Sequence, residues 1–82
     1  MKNIGPKSQQ WLAEIGIYIL NDLRHAGSIL TYKMLKERYP KKVSLNLLWA
    51  LEGAISGEPW QTVAREHKTS LLLALEQCER GG

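Results

Sequence analysis

An all-α fold, a compact bundle of five helices, is what this 82-residue sequence predicts, and three observations carry it. Apolar residues recur at three- and four-residue spacing through each of its longer segments. Nowhere do β-branched residues alternate with polar ones over the length of a strand. Glycine, proline and serine interrupt the chain at short intervals, which sets short helices and short connections.

The first helix runs from Pro6 or Lys7 to Ile15. A proline suits the first helical turn, where a missing N–H costs nothing. Trp11, Leu12 and Ile15 share an apolar face, and Gly16 is a natural left-handed terminator. The isoleucines on either side of Gly16 predict a corner plugged into the core. A second helix covers about Leu20 to Ala26, with Leu23 and Ala26 inward and Gly27 at its end. Ile19 stands at its cap position and cannot accept an amide hydrogen bond, so this helix is expected to start late, with Asn21 as a substitute cap, or to fray.

Ser28 is the expected cap of a third helix, Ile29 to Tyr39, with Ile29, Tyr32, Leu35 and Tyr39 inward and Pro40 as its stop. Ser44 caps the fourth, SLNLLWALEGAISG. Leu45, Leu47, Leu48, Trp49, Leu51 and Ile55 make that helix apolar on nearly every side, so it belongs in the middle of the bundle. Gly53 within it is expected to admit a neighbouring backbone. After Gly57 and Pro59, Trp60 begins a short turn and a fifth helix follows to about Glu79. Its inward side carries Val63, His67, Leu71, Leu75 and Cys78, and Leu72 and Leu73 widen the stripe toward solvent or a partner.

Length and composition bound the function. Residues 1–82 make a single domain, and a hydrophobic share of 44% is above what a disordered chain carries. There is no phenylalanine, and three tryptophans and three tyrosines supply the large side chains. No apolar run approaches the roughly 20 residues that span a bilayer, so no membrane partner is expected. The start, MKNIGPKS, has no apolar signal region, and a cytoplasmic location is expected. The one cysteine, Cys78, cannot close an internal disulfide, and its spacing from His25 and His67 matches no metal motif. Neither a metal nor a cofactor is expected.

Catalytic chemistry is not indicated. No paired carboxylates mark a cleft, no serine or cysteine nucleophile stands near a histidine, and no glycine-rich nucleotide loop occurs. His67 reads as a core-edge residue and His25 as a surface one. Glu52, in the buried helix, is expected to pair with Arg24 or Lys7 as a structural ion pair. The chain is not expected to be an enzyme.

Two basic regions point elsewhere. In Ile4-Gly5-Pro6-Lys7-Ser8, a glycine corner runs into a helix N-terminus, and the pattern resembles helix-hairpin-helix modules. Unpaired N–H groups and the positive end of the dipole suit a phosphate oxygen there. Gly5 lets the backbone approach, Lys7 adds charge and Ser8 adds a hydroxyl. The second region, Lys33, Lys36, Arg38, Lys41 and Lys42 against the one Glu37, concentrates cations in ten residues of a chain whose net charge is +3. Phosphate contacts by Gly5, Lys7, Ser8, Lys33, Lys36, Lys41 and Lys42 would give weak, sequence-independent DNA binding with a steep salt dependence. The alternative is a solvated helix end on a protein–protein or dimerisation module, with Leu72, Leu73 and an exposed tryptophan as its contact surface.

The run LNLLWALEGA, the Gly-x-x-Trp that follows it, and the upstream IGPKS, WL, IGI and DL together resemble the C-terminal domain of the TfoX/Sxy family of bacterial competence regulators, over Asn3 to about Gln77. The resemblance implies a compact helical fold related to helix-hairpin-helix and SAM-like domains. It implies a role in transcriptional control of DNA uptake, alongside a cyclic-AMP-responsive activator and, in longer members, an N-terminal domain. It carries no catalytic residues. Whether the domain is a monomer or a weak dimer is open.

Overall fold

A computed structural model describes Met1 and residues 3–81. Six helices occur among them: α1 (Pro6–Glu14), α2 (Leu20–Ala26), α3 (Ser28–Arg38), α4 (Leu45–Ser56), α5 (Trp60–Glu66) and α6 (Lys68–Gly81). None of the described residues is in a strand, and no helix is long and apolar enough to cross a membrane. The radius of gyration, 11.7 Å, is what the scaling of about 2.2·N^0.38 Å gives for one folded unit of this length.

The central position expected of the LNLLWALEGA segment is observed. α4 packs against α2, α3 and α5, and Leu47, Leu48, Trp49, Leu51, Gly53 and Ala54 along it are buried. Leu48 and Leu51 meet Leu12, Leu23, Leu35 and Val63 from the surrounding helices, all of them fully enclosed. Ile17 is buried beside Gly16, as the plugged corner requires, and Ile4 and Val43 close the core from segments outside the helices. Leu45, counted with the apolar faces, instead lies at the first position of α4 and is 39% exposed.

The expected fifth helix is two. The chain turns at His67, with φ −115° and ψ 5°, and α5 and α6 pack against each other. Carbonyl-to-amide bonds run through the corner: His67 N–H donates to Val63 C=O at 2.9 Å, and Leu71 N–H to His67 C=O at 3.0 Å. Val63, Leu71 and Leu75 still reach the core, so the apolar spacing continues across the bend and hides it. Trp60 opens α5 instead of a turn.

α2 also departs from expectation. It begins at Leu20, with neither a late start nor an Asn21 cap. Asp22, in its first turn, reaches back, and its carboxylate accepts from the N–H groups of Tyr18 at 3.0 Å and Ile19 at 3.3 Å. The carboxylate half of a capping box is therefore present, although Ile19 has no side-chain oxygen to supply the other half. A single residue joins α2 to α3. Gly27 holds φ 85° and ψ 155°, a backbone conformation open to glycine and costly for residues with a Cβ. Gly27 thereby takes the cap position, and Ser28 falls inside the first turn. Its buried hydroxyl donates to Glu52 Oε2 at 2.8 Å. Glu52 thus bonds a serine of α3, in place of the Arg24 or Lys7 ion pair.

The tightest backbone approach is at Gly53. A Cβ there would lie 2.7 Å from the Glu58 carbonyl oxygen and 2.6 Å from Asn3 Nδ2. Asn3, with φ 69°, donates from Nδ2 to that carbonyl at 2.8 Å and accepts the Trp60 N–H at Oδ1 at 3.4 Å. The N-terminal turn is thereby fastened to the α4–α5 connection. In an open helix Gly→Ala stabilises by up to about 1 kcal/mol, whereas forcing a methyl into a packed site costs about 1–3 kcal/mol. The contact with a carbonyl, which cannot rotate away as a side chain can, makes the second effect win. Gly53→Ala is expected to lower stability by about 1–3 kcal/mol in urea unfolding; a stabilised variant would refute the contact.

Candidate functional site

One aromatic and ionic junction decides where the basic residues meet. Glu14, at the end of α1, accepts Arg38 Nε–H on Oε1 at 2.9 Å and the Tyr39 hydroxyl on the same oxygen. The Tyr39 ring stacks on Trp11, with centroids 5.1 Å apart and planes at 21°. α1 is therefore held against the end of α3, and the loop leaving α3 emerges beside the start of α1. Lys36 shapes that loop, donating from Nζ to the carbonyls of Pro40 at 2.9 Å and Val43 at 2.7 Å. These bonds satisfy carbonyls beyond the end of α3, where a cation is favoured.

The result is a groove of about 310 Å³ between α1, α4 and α5. Ser8, Lys42, Ser44 and Asn46 line it with polar groups, Trp11 and Trp60 supply aromatic edges, and Leu47 and Ala50 supply apolar surface. Lys7 Nζ stands over the Trp11 ring, 5.7 Å from its centroid. Two helix starts border the same groove. At α1, Gly5 is the cap with no side-chain bond, and the first backbone bond is from Gln9 N–H to Gly5 C=O at 2.9 Å. The Lys7 and Ser8 amides precede that ladder. At α4, Ser44 holds extended backbone, yet its hydroxyl makes no cap bond. Helix starts left open in this way carry positive partial charge.

The residues singled out from sequence are divided by the fold. Ser8 and Lys42 line the groove, Lys7 lies over the Trp11 ring that also lines it, Gly5 precedes them at the start of α1, and Lys41 is exposed in the adjoining turn. Lys36 is half-buried and engaged with the loop carbonyls. Lys33 points across to α6, where its Nζ lies 3.7 Å from Cys78 Sγ. Sequence spacing did not suggest Trp60, Ser44 and Asn46 as groove residues, because they meet Ser8 only through the Asn3 fastening and the α1–α3 junction. His67 is only partly buried, and its Nε2 lies 3.1 Å from Glu58 Oε1. Glu66 completes a group of three potential ligands whose atoms lie within 4.8 Å of one another.

Five helices around the apolar central α4, with a basic, aromatic-edged groove beside the starts of α1 and α4, define a small all-α module. The TfoX C-terminal domain family model matches residues 1–75, and the chain belongs to that family, the one its sequence resembles. Neither the curated proteins nor the solved structures contain a significant match to the chain.

The junction has a pH signature. Hydrogen bonding from Tyr39, and then from Arg38, holds the Glu14 carboxyl below its ordinary value of 4.5. A carboxylate with a depressed folded pKa stabilises above its unfolded pKa, and that contribution disappears as pH falls through the folded one. Thermal unfolding followed from pH 6 downward is expected to show this loss below about pH 4.5, and Glu14→Gln is expected to flatten that part of the profile. An unchanged slope in the variant would rule the junction out as its source.

Proposed function

We propose that this domain serves a regulator by holding DNA through its phosphates, without reading sequence, at the open start of α1 and the rim of the groove. The meeting of Ser8 with Lys42 in one groove, with Lys7 over the Trp11 ring that lines it, is the observation that carries this reading. Gly5 brings the backbone amides within reach, Ser8 offers a hydroxyl, and Lys41 extends the cationic edge. The α1–turn–α2 unit, whose Gly16 corner has φ 85° and whose Ile17 is buried, supports a helix-hairpin-helix-like use of that start. Lys33 and Lys36 stand outside this contact: one faces α6 and the other holds the loop. The expected dissociation constant is on the order of 10⁻⁴–10⁻⁶ M at physiological salt, as for phosphate contacts generally.

A salt titration of fluorescence anisotropy with labelled duplex DNA tests the reading. Saturable binding is expected, and Lys7→Ala combined with Lys42→Ala is expected to flatten the logarithmic salt slope by roughly two, one for each lost phosphate contact. Lys33→Ala is expected to leave the slope unchanged. Absence of salt-dependent binding, or a loss as large from Lys33→Ala, would discard the proposal.

A second reading has its own support in the exposed Leu30 and Met34 of α3 and Leu73 of α6, apolar side chains on two helices that pack together. On this reading the domain docks a protein or a second copy of itself. Light scattering of the free domain separates the two, since a stable dimer that Leu73→Asp dissociates, without any DNA response, favours the second.

A further inference from the structure

We propose that the groove receives one unpaired nucleobase, so that the domain holds single-stranded DNA more tightly than duplex. The inference rests on the phosphate-contact reading above and adds to it the recognition of a base. Trp60 is 39% exposed, edges the groove, and has no ring partner among the described residues. Part of its indole is thus open at the groove edge, where a base can stack. Trp11 is different: Tyr39 covers one face and Lys7 stands over the ring, which makes it a fixed wall.

The groove contains what a base and its sugar-phosphate need. The Asn46 amide and the hydroxyls of Ser8 and Ser44 provide donors and acceptors for a base edge, and Lys42 provides charge at the rim. Its volume of about 310 Å³ is at the small end of the roughly 300–1,000 Å³ typical of ligand clefts. That is room for a single nucleotide. Duplex DNA keeps its bases stacked inside and would have to extrude one at a free-energy cost, whereas a single strand offers its bases already free. An exposed aromatic beside a cationic edge is the recurring combination for such strands, because every base presents a π-face.

The test compares a labelled twelve-nucleotide oligothymidine with a duplex of equal length, by anisotropy and by quenching of tryptophan emission. The single strand is expected to bind about ten-fold more tightly. Trp60→Ala is expected to weaken it about ten-fold, the loss of one stacked base, toward the duplex value, and Trp60→Phe is expected to restore most of the difference. Circular dichroism and thermal unfolding of both variants establish that they fold; should Trp60→Ala unfold, Asn46→Ala replaces it, with an expected loss of several-fold on the single strand. Equal or tighter binding of duplex by the native domain overturns the base site and leaves the phosphate reading standing. Single-strand affinity unmoved by Trp60→Ala does the same. Failure of both DNAs to bind overturns the two together.

Discussion

The approach of the Glu58 carbonyl to Gly53, with Asn3 bonded across it, is the constraint on which the arrangement of this domain depends. A side chain at position 53 would push the α4–α5 connection outward, and the connection carries Trp60 at its end. Asn3 uses both ends of its amide on this one connection, so the N-terminal turn is fixed at the same point. The start of α1 and the start of α5 are therefore positioned together, although 55 residues separate Asn3 from its acceptor. The groove exists because those two starts cannot drift apart.

The second determinant is the junction of Trp11 and Glu14 with Arg38 and Tyr39. Its ion pair lies at the surface while Trp11 and Tyr39 are half-buried against the core, and together they set which face of α1 meets the loop after α3. Lys36 shapes that loop from within by bonding two of its carbonyls. The lysines of the 33–42 segment thus serve different ends: one braces the loop, two are left on it, and one faces another helix. Charge density along the chain is a poor guide to charge density in space when a helix distributes its residues around an axis.

Local and periodic signals were legible in the sequence. The all-α class, the central place of the LNLLWALEGA segment, the close approach at Gly53, the buried Ile17 corner and the exposed Leu73 all follow from spacing and residue type. What escaped depended on partners distant in sequence or on a bend that leaves the period intact. His67 interrupts the last helix while Val63 and Leu71 keep their helical spacing. Ser28 looks like a cap until Gly27 occupies that position, and Glu52 then takes the freed hydroxyl. Of the site, Gly5, Lys7 and Ser8 could be read from a local motif. Trp60, Ser44 and Asn46 could not, since only the folded chain brings them beside Ser8.

The Asn3 fastening also bears on how the polypeptide acquires its shape while it is being made. The Asn3 turn is made well before the carbonyl and amide that it must grip, which residues 58 and 60 supply. Closing a loop of that span carries an entropic penalty that formation of a local helix does not. Vectorial synthesis therefore gives this contact no head start: Asn3 can close it only once residues 58 and 60 have been made.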